Sequence, residues 1–251
     1  MMDYTIANEY ELPSKGKLYS ENVKSYVKLR SMTTAEEMKR LNHSDRPYSS
    51  MAEIIDDCLV ESIGMSSYDL CIPDYQFLLH KLRIVTYGPN YKVETTCPWC
   101  KTPAKSTVNL DALGLTDFDQ ELYSKYSEFE LPVTKKRIKL RMQTPRILDD
   151  IYTKTKEERR KNPGMTGDPA FLFTLEALID EIDGRKPEQF KILPFIKKLP
   201  MADTNYILKS AQKINNSFGL ESSFIHVCPT CGLDYTSNFR TTSEFFGPSI
   251  D

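Results

Sequence analysis

Glu9-Tyr10-Glu11-Leu12-Pro13, close to the start of the chain, returns as Glu128-Phe129-Glu130-Leu131-Pro132. A few residues further on, Val27-Lys28-Leu29-Arg30 returns as Ile138-Lys139-Leu140-Arg141. These strings alternate apolar and polar side chains, the period of a strand that buries one face. The stretches between them are Lys-rich or carry Ser, Gly and Asn, which is turn chemistry. Each half of the chain is therefore predicted to open with a β-hairpin.

Past each hairpin the period lengthens to that of a helix. Thr33 or Thr34 can cap a helix running through Met38 and Leu41, and Thr144 followed by Pro145 is a good helix start. A threonine hydroxyl accepts from a free N–H of the first turn, and proline lacks an N–H that this turn leaves unused. In the first half, helices are predicted over 50–64 and 72–86, the latter with Tyr75, Leu78, Leu79 and Leu82 on one face. In the second half they are predicted over 168–182, 187–198 and 203–217. Asn-Pro-Gly-Met-Thr-Gly-Asp-Pro, at 162–169, reads as a loop after a charged helix end at 154–161.

The last helix of each half is expected to stop at Gly88 or Gly219, and the first Cys of a Cys-Pro-x-Cys follows nine residues later in both. Tyr75 and Tyr206 stand at equal distances before those glycines. The ordered matches predict an α+β fold made by duplication of a unit of β-hairpin, helices and cysteine knuckle. The first repeat covers 1–120 and the second, with a larger helical insert, 121–251; together they form one compact unit.

With 251 residues and 40% hydrophobic content the chain can bury a core without disulfides or metal, so any metal site needs a local reason. A formal charge of -2 argues against wholesale polyanion binding. The opening MMDYTIANEYELP has no basic segment followed by an apolar one, and no run approaches the roughly 18 apolar residues of a membrane span. The expectation is a soluble protein made in a cytosol. In reducing surroundings, six cysteines of which four form close pairs favour metal or redox chemistry over disulfides.

Cys97-Pro98-Trp99-Cys100 and Cys228-Pro229-Thr230-Cys231 each supply two thiolates from one tight turn, and two such turns complete a tetrahedral shell for one structural Zn²⁺. Strand-like strings flank both motifs, at 91–96 and 104–109 and at 223–227 and 234–239, so the two knuckles are expected to face each other as a zinc ribbon. The separation of Cys100 from Cys228 exceeds that of a compact ribbon; duplication explains it, each repeat bringing half the site and the zinc stapling the halves. Thiol redox chemistry is the competing reading of Cys-Pro-x-Cys, but it calls for a helix after the motif where this sequence reads as strand.

His226, two residues before Cys228, is expected beside the knuckle in a solvated or supporting position rather than as a ligand. Cys58 and Cys71 are read as buried free thiols. No phosphate loop, nucleophile elbow or zinc-protease motif is present, and His43, His80 and His226 are scattered, so no enzyme is expected. The adjacent pairs Asp56-Asp57 and Asp149-Asp150 are read as solvated helix faces. Leu18, Tyr19, Trp99 and Met165 are the candidate partner-binding residues. A nucleic-acid-binding ribbon is the alternative function, with Lys101, Lys105, Arg240 and the turn Lys135-Lys136-Arg137 as its cations.

Three stretches carry a resemblance. Glu-Leu-Pro-Ser-Lys-Gly-Lys-Leu-Tyr at 11–19, Leu-Arg-Ser-Met-Thr-Thr-Ala-Glu-Glu at 29–37, and Asp-Tyr-Gln-Phe-Leu-Leu-His-Lys-Leu-Arg-Ile-Val-Thr-Tyr-Gly-Pro-Asn-Tyr at 74–91, followed by Cys-Pro-Trp-Cys, are similar to the T4-type bacteriophage baseplate hub assembly proteins. The likeness covers roughly 8–115 well and the second half loosely. It implies a non-enzymatic viral protein that helps assemble the hub of a contractile-tail baseplate in the host cytoplasm, or stays in the virion baseplate. Its partners would be other hub or tail proteins, with no small-molecule substrate.

Overall fold

The computed structural model describes residues 6–20, 22–221, 223–238 and 243–246. The first hairpin pairs β1 (Ala7–Glu11) with β2 (Tyr26–Arg30), Tyr10 opposite Val27. Val27, Leu29 and, just past β1, Leu12 turn inward and are buried. α1 (Thr34–Leu41) starts with a reciprocal cap: the Ala35 N–H donates to the Thr33 hydroxyl at 3.3 Å, and Glu36 accepts the Thr33 N–H at 2.7 Å. Arg30 pairs with Glu36 at 2.9 Å. Met38 and Leu41 prove to be surface residues, each 69% exposed, so the cap and the ion pair rather than an apolar face anchor this helix.

α2 (Pro47–Cys58) starts and ends earlier than the expected 50–64. Pro47 suits the first helical position, and beyond Cys58 the chain runs beside β2, where the Val60 N–H donates to the Lys28 carbonyl at 2.9 Å. α3 (Ile72–Tyr87) follows the expected span, but its surroundings differ from the expected single apolar face. It is buried over most of its surface, carrying Asp74, His80 and Arg83 inside along with Tyr75, Phe77, Leu78, Leu79, Leu82, Ile84 and Val85, and leaves Gln76 exposed. Gly88, with φ 84°, closes it, its N–H bonded to the Ile84 carbonyl at 2.9 Å.

The chain continues through the hairpin of β3 (Asn90–Thr96) and β4 (Pro103–Asn109) to the short β5 (Leu115–Thr116). α4 (Gln120–Ser127), capped by Asp119, is a short helix that the apolar periodicity does not reveal. The second half opens with β6 (Glu128–Glu130) and β7 (Arg137–Leu140), then α5 (Pro145–Lys161) capped by Thr144, and α6 (Pro169–Leu178). The predicted helix over 168–182 breaks at its end: β8 (Ile179–Ile182) leaves it and pairs with β7, widening the hairpin to three strands. The β-branched Ile179 and Ile182 favour that edge. α7 (Gln189–Lys198) and α8 (Met201–Asn215) complete the helical layer. α8 stops before Gly219, which instead sits in β9 (Gly219–Leu220), opposite Thr116 of β5. Its φ of 101°, with the Pro73 side chain 3.0 Å from where a Cβ would lie, explains the glycine there. β10 (Ser223–Val227) and β11 (Asp234–Asn238) form the last hairpin. Among the described residues no helix is long and apolar enough to cross a membrane.

The molecule is thus mixed helix and strand with small sheets, and it has one hydrophobic cluster around α3 and another formed by Leu131, Ile138, Leu140, Leu175, Ile179 and Ile207. In each cluster an aspartate at the third position of a helix reaches the loop after a Leu-Pro step. Asp74 accepts from the Ser14 N–H at 3.0 Å, the Ser14 hydroxyl at 2.5 Å and Tyr19 at 2.7 Å. Asp203 accepts from the Val133 N–H at 2.8 Å, and from the Thr134 N–H and hydroxyl at 3.0 and 2.7 Å.

A small joint of Cys71, Phe118 and Phe218 lies between the clusters, with Leu18 and Tyr19 packed on it. Asp149 spans the same boundary. It is fully buried, not on a solvated face, and accepts from the Ser49 N–H at 2.9 Å and the Tyr68 hydroxyl at 3.0 Å. It supplies the α2 N-terminus with the acceptor that Arg46 at the cap position does not provide. Its neighbour Asp150 stays at the surface, paired with Arg46 at the cap of the same helix. Asp56 is likewise structural, accepting from the Ser66 hydroxyl at 2.7 Å and the Ser67 N–H at 2.9 Å.

Two stability effects follow. Asp149→Ala should cost about 2–3 kcal/mol, because it strands two donors of the first half, the Ser49 N–H and the buried Tyr68 hydroxyl, whereas Asp150→Ala should cost under about 1 kcal/mol; urea midpoints of the two variants measure the contrast. Arg30 first, then the Thr33 hydroxyl and amide, hold the Glu36 carboxyl from 4.5 down to about 2. A depressed carboxyl stabilises above its unfolded pKa and loses that contribution as pH falls through the folded one. Glu36→Gln should therefore be clearly destabilising at neutral pH and lose its effect as pH falls from about 4.5 to about 2, as read from denaturation curves of both proteins.

Candidate metal centre

The first knuckle lies in the turn between β3 and β4, and the second in the turn between β10 and β11. Their backbones follow one pattern. The Cys97 N–H donates to the Thr102 carbonyl at 3.0 Å and the Lys101 N–H back to the Cys97 carbonyl at 3.0 Å. In the second knuckle the Cys228 N–H donates to Leu233 at 3.1 Å and Gly232 to Cys228 at 2.9 Å. The residue after each second cysteine has positive φ, 59° at Lys101 and 72° at Gly232, which turns the chain back under the sulfurs.

All four sulfurs lie within 4.8 Å of one another, and this cluster can hold a metal ion. Sulfurs of opposite knuckles approach closely, Cys97 to Cys231 at 3.8 Å and Cys100 to Cys228 at 3.6 Å. These separations are far beyond a disulfide bond of about 2.05 Å. Cys97 and Cys228 are buried beside Tyr235, while Cys231 is open to solvent. Hydrogen bonding with the Thr102 side chain and then its backbone lowers the Cys100 thiol to about 6, whereas, against the Leu233 amide, desolvation and the neighbouring thiols raise Cys231 to about 11. A strand follows each motif, as the spacing predicts, so no helix N-terminus addresses either thiol pair.

Three polar bridges hold the hairpins together around the sulfurs. His226 is buried, its Nδ1 3.0 Å from the Ser106 hydroxyl on β4 and its Nε2 2.7 Å from Ser237 on β11. Burial pushes its pKa down, so the ring is held neutral. It stacks on Tyr235 with centroids 5.2 Å apart, and the Tyr235 hydroxyl meets Thr95 of β3 at 2.6 Å. The Trp99 indole N–H donates to the Asp234 carbonyl at 3.1 Å, while the side chain remains 63% exposed. His226 thus lies beside the knuckle, outside the thiol cluster, but as a buried tie between hairpins. The strand period could have revealed this, because Ser106 and His226 fall on the inward faces with Ala104 and Phe224.

The other sequence-selected residues are dispersed. Leu18 and Tyr19 belong to the joint, where the Tyr19 hydroxyl accepts from the Cys71 N–H at 2.9 Å. Met165 is 40% exposed in the loop between α5 and α6. Cys58 and Cys71 are buried free thiols, and burial raises both.

The family model described as T4 bacteriophage base plate protein matches residues 4–247. Comparison with curated proteins and with solved structures finds no match. Since the matched span takes in both hairpin pairs, both helical layers and both cysteine knuckles, the chain belongs to the T4 bacteriophage base plate protein family.

Proposed function

We propose that this chain is a non-enzymatic assembly factor or component of the baseplate hub of a contractile tail. It works through protein–protein contacts in the infected host, on a scaffold stapled by one zinc ion. The observation that carries this reading is the four-thiol cluster, made by two hairpins far apart in a chain of a base plate family. A Zn–S bond of about 2.3 Å gives a tetrahedron with an edge of about 3.8 Å, and the 3.6 and 3.8 Å separations across the knuckles fit that edge. Four thiolates fill the shell, leaving no open position for water or substrate, so the metal's role is structural.

The scaffold is read as two copies of one unit, over 1–120 and 121–251. The shared knuckle hydrogen bonds and the shared reach of Asp74 and Asp203 to a Leu-Pro loop support it. Trp99 and Met165 are the exposed candidates for partner contact; Leu18 and Tyr19 serve the joint. Nucleic acid is a poorer fit as partner. Lys105 is paired with Glu94 at 2.7 Å, Lys136 with Asp183 at 2.7 Å and Lys135 with Glu130 at 3.8 Å. Lys101 and Arg137 have no ion pair among the described residues, and Arg240 lies outside them.

Elemental analysis of purified protein should find one zinc per chain, and Cys100→Ser or Cys231→Ser should abolish tight retention and lower the melting temperature by several degrees; zinc-free protein of native stability would refute the staple. Affinity capture from infected cells should recover hub proteins, and Trp99→Ala should reduce that recovery severalfold while zinc content stays at one per chain. Recovery of polymerase or nucleic acid in their place would overturn the assembly role.

A further inference from the structure

Beyond the last strand the chain returns to the first half. Ser243–Phe246 forms a single 3₁₀ turn whose Phe245 and Phe246 are 0% and 2% exposed within the cluster around α3. The Phe245 ring lies 5.0 Å from His80 and 5.4 Å, edge-on, from Tyr91. Its carbonyl accepts from Arg83 Nε at 2.8 Å.

Arg83 is the unusual element. It is fully buried, its Nη1 donates to the Gly88 carbonyl at 3.0 Å, and its guanidinium lies 4.8 Å from the Tyr87 ring and 5.8 Å from the Tyr91 ring. Among the described residues no carboxylate pairs with it. A buried guanidinium without a counter-ion is costly to maintain, and here carbonyl oxygens and aromatic faces do the stabilising. One of the two carbonyls comes from a residue 162 positions away in the chain. The buried cation therefore has little reason to be there unless that segment is seated on it.

We propose that Ser243–Phe246 is a detachable latch: a diaromatic peptide ligand carried by the chain itself, seated in a receptor pocket made by His80, Arg83, Tyr87 and Tyr91. It is a single turn that no strand pairs with among the described residues, so its buried rings and the Arg83 hydrogen bond hold it rather than a backbone ladder. The pocket it fills is selective for an aromatic pair whose backbone carbonyl points at the guanidinium. Latch and thiol cluster also act on different ends of the β10–β11 hairpin. Cys228 and Cys231 hold its turn, and the latch holds the chain that continues past β11. Lifting the latch thus leaves the metal centre assembled.

The test uses the full chain, folded with its metal, carrying a specific protease site between residues 238 and 243. After cleavage, the 243–251 fragment should stay bound, exchange with a fluorescent peptide of the same sequence, and leave zinc content and the fold unchanged. Arg83→Gln in the cleavable chain should weaken the peptide by about tenfold or more, as expected for losing a charged hydrogen bond. If that variant does not fold, Phe245→Ala in the labelled peptide supplies the same comparison from the ligand side. The proposal is overturned if the fragment leaves and the peptide does not rebind, if it exchanges only when the whole protein unfolds, or if neither substitution alters binding.

Discussion

The first half of the molecule depends on a helix buried along most of its length, polar side chains included. α3 is enclosed by the first hairpin, α2, β9 and the 3₁₀ turn at Ser243–Phe246. A polar side chain buried on such a helix must be answered locally, since water cannot serve it. Asp74 answers by fastening the loop at Ser14 and Tyr19, and Arg83 by taking the Gly88 and Phe245 carbonyls. The polar residues of α3 therefore set where its neighbours sit, and the apolar ones fill what lies between. At the N-terminus of α3, Cys71 belongs to the joint with the second half, and the Ile72 N–H donates to the Gln143 carbonyl at 3.0 Å. One helix thus positions the hairpin, the joint and the returning C-terminal turn.

The span of α3 is therefore legible in its sequence, while its burial is not. Its span was legible because Tyr75, Leu78, Leu79 and Leu82 repeat at helical spacing and Gly88 punctuates the end. Its burial was not, because Asp74, His80 and Arg83 look like a solvated face until the segments that satisfy them are known, and Phe245 lies in the far half of the chain. Asp149 is the same case in the second half: next to Asp150 it resembles a surface pair, and only the Ser49 amide and Tyr68 hydroxyl show it to be interior. The strand at Ile179–Ile182 was hidden differently. An apolar run directly after a helix keeps helical character until a partner strand, here β7, offers a ladder to join.

The thiol cluster was the most legible feature, because soft-ligand chemistry leaves a short, local mark at each knuckle. What surrounds it was legible only by face. The period-2 alternation puts His226, Tyr235, Thr95 and Ser106 inward, but the bridges among them need the two hairpins docked. The Trp99 indole N–H is tied to Asp234 of the facing hairpin while most of its surface stays open.

Bringing Cys97 and Cys100 to Cys228 and Cys231 closes a loop of more than half the chain, and the entropic cost of closure rises only slowly with length. The greater obstacle is orientation, since four sulfurs must converge within 4.8 Å. Other contacts across the halves reduce that obstacle before any metal is considered. β5 pairs with β9 just ahead of the second knuckle hairpin, and Asp149 and the Arg146–Asp69 pair fix α5 to the first half. With β9 held at β5, only the short link to β10 separates the second hairpin from its place against the first. The thiol cluster thus need not organise the fold: packing sets the arrangement of the halves and brings the two knuckle hairpins face to face, where a metal ion could lock them.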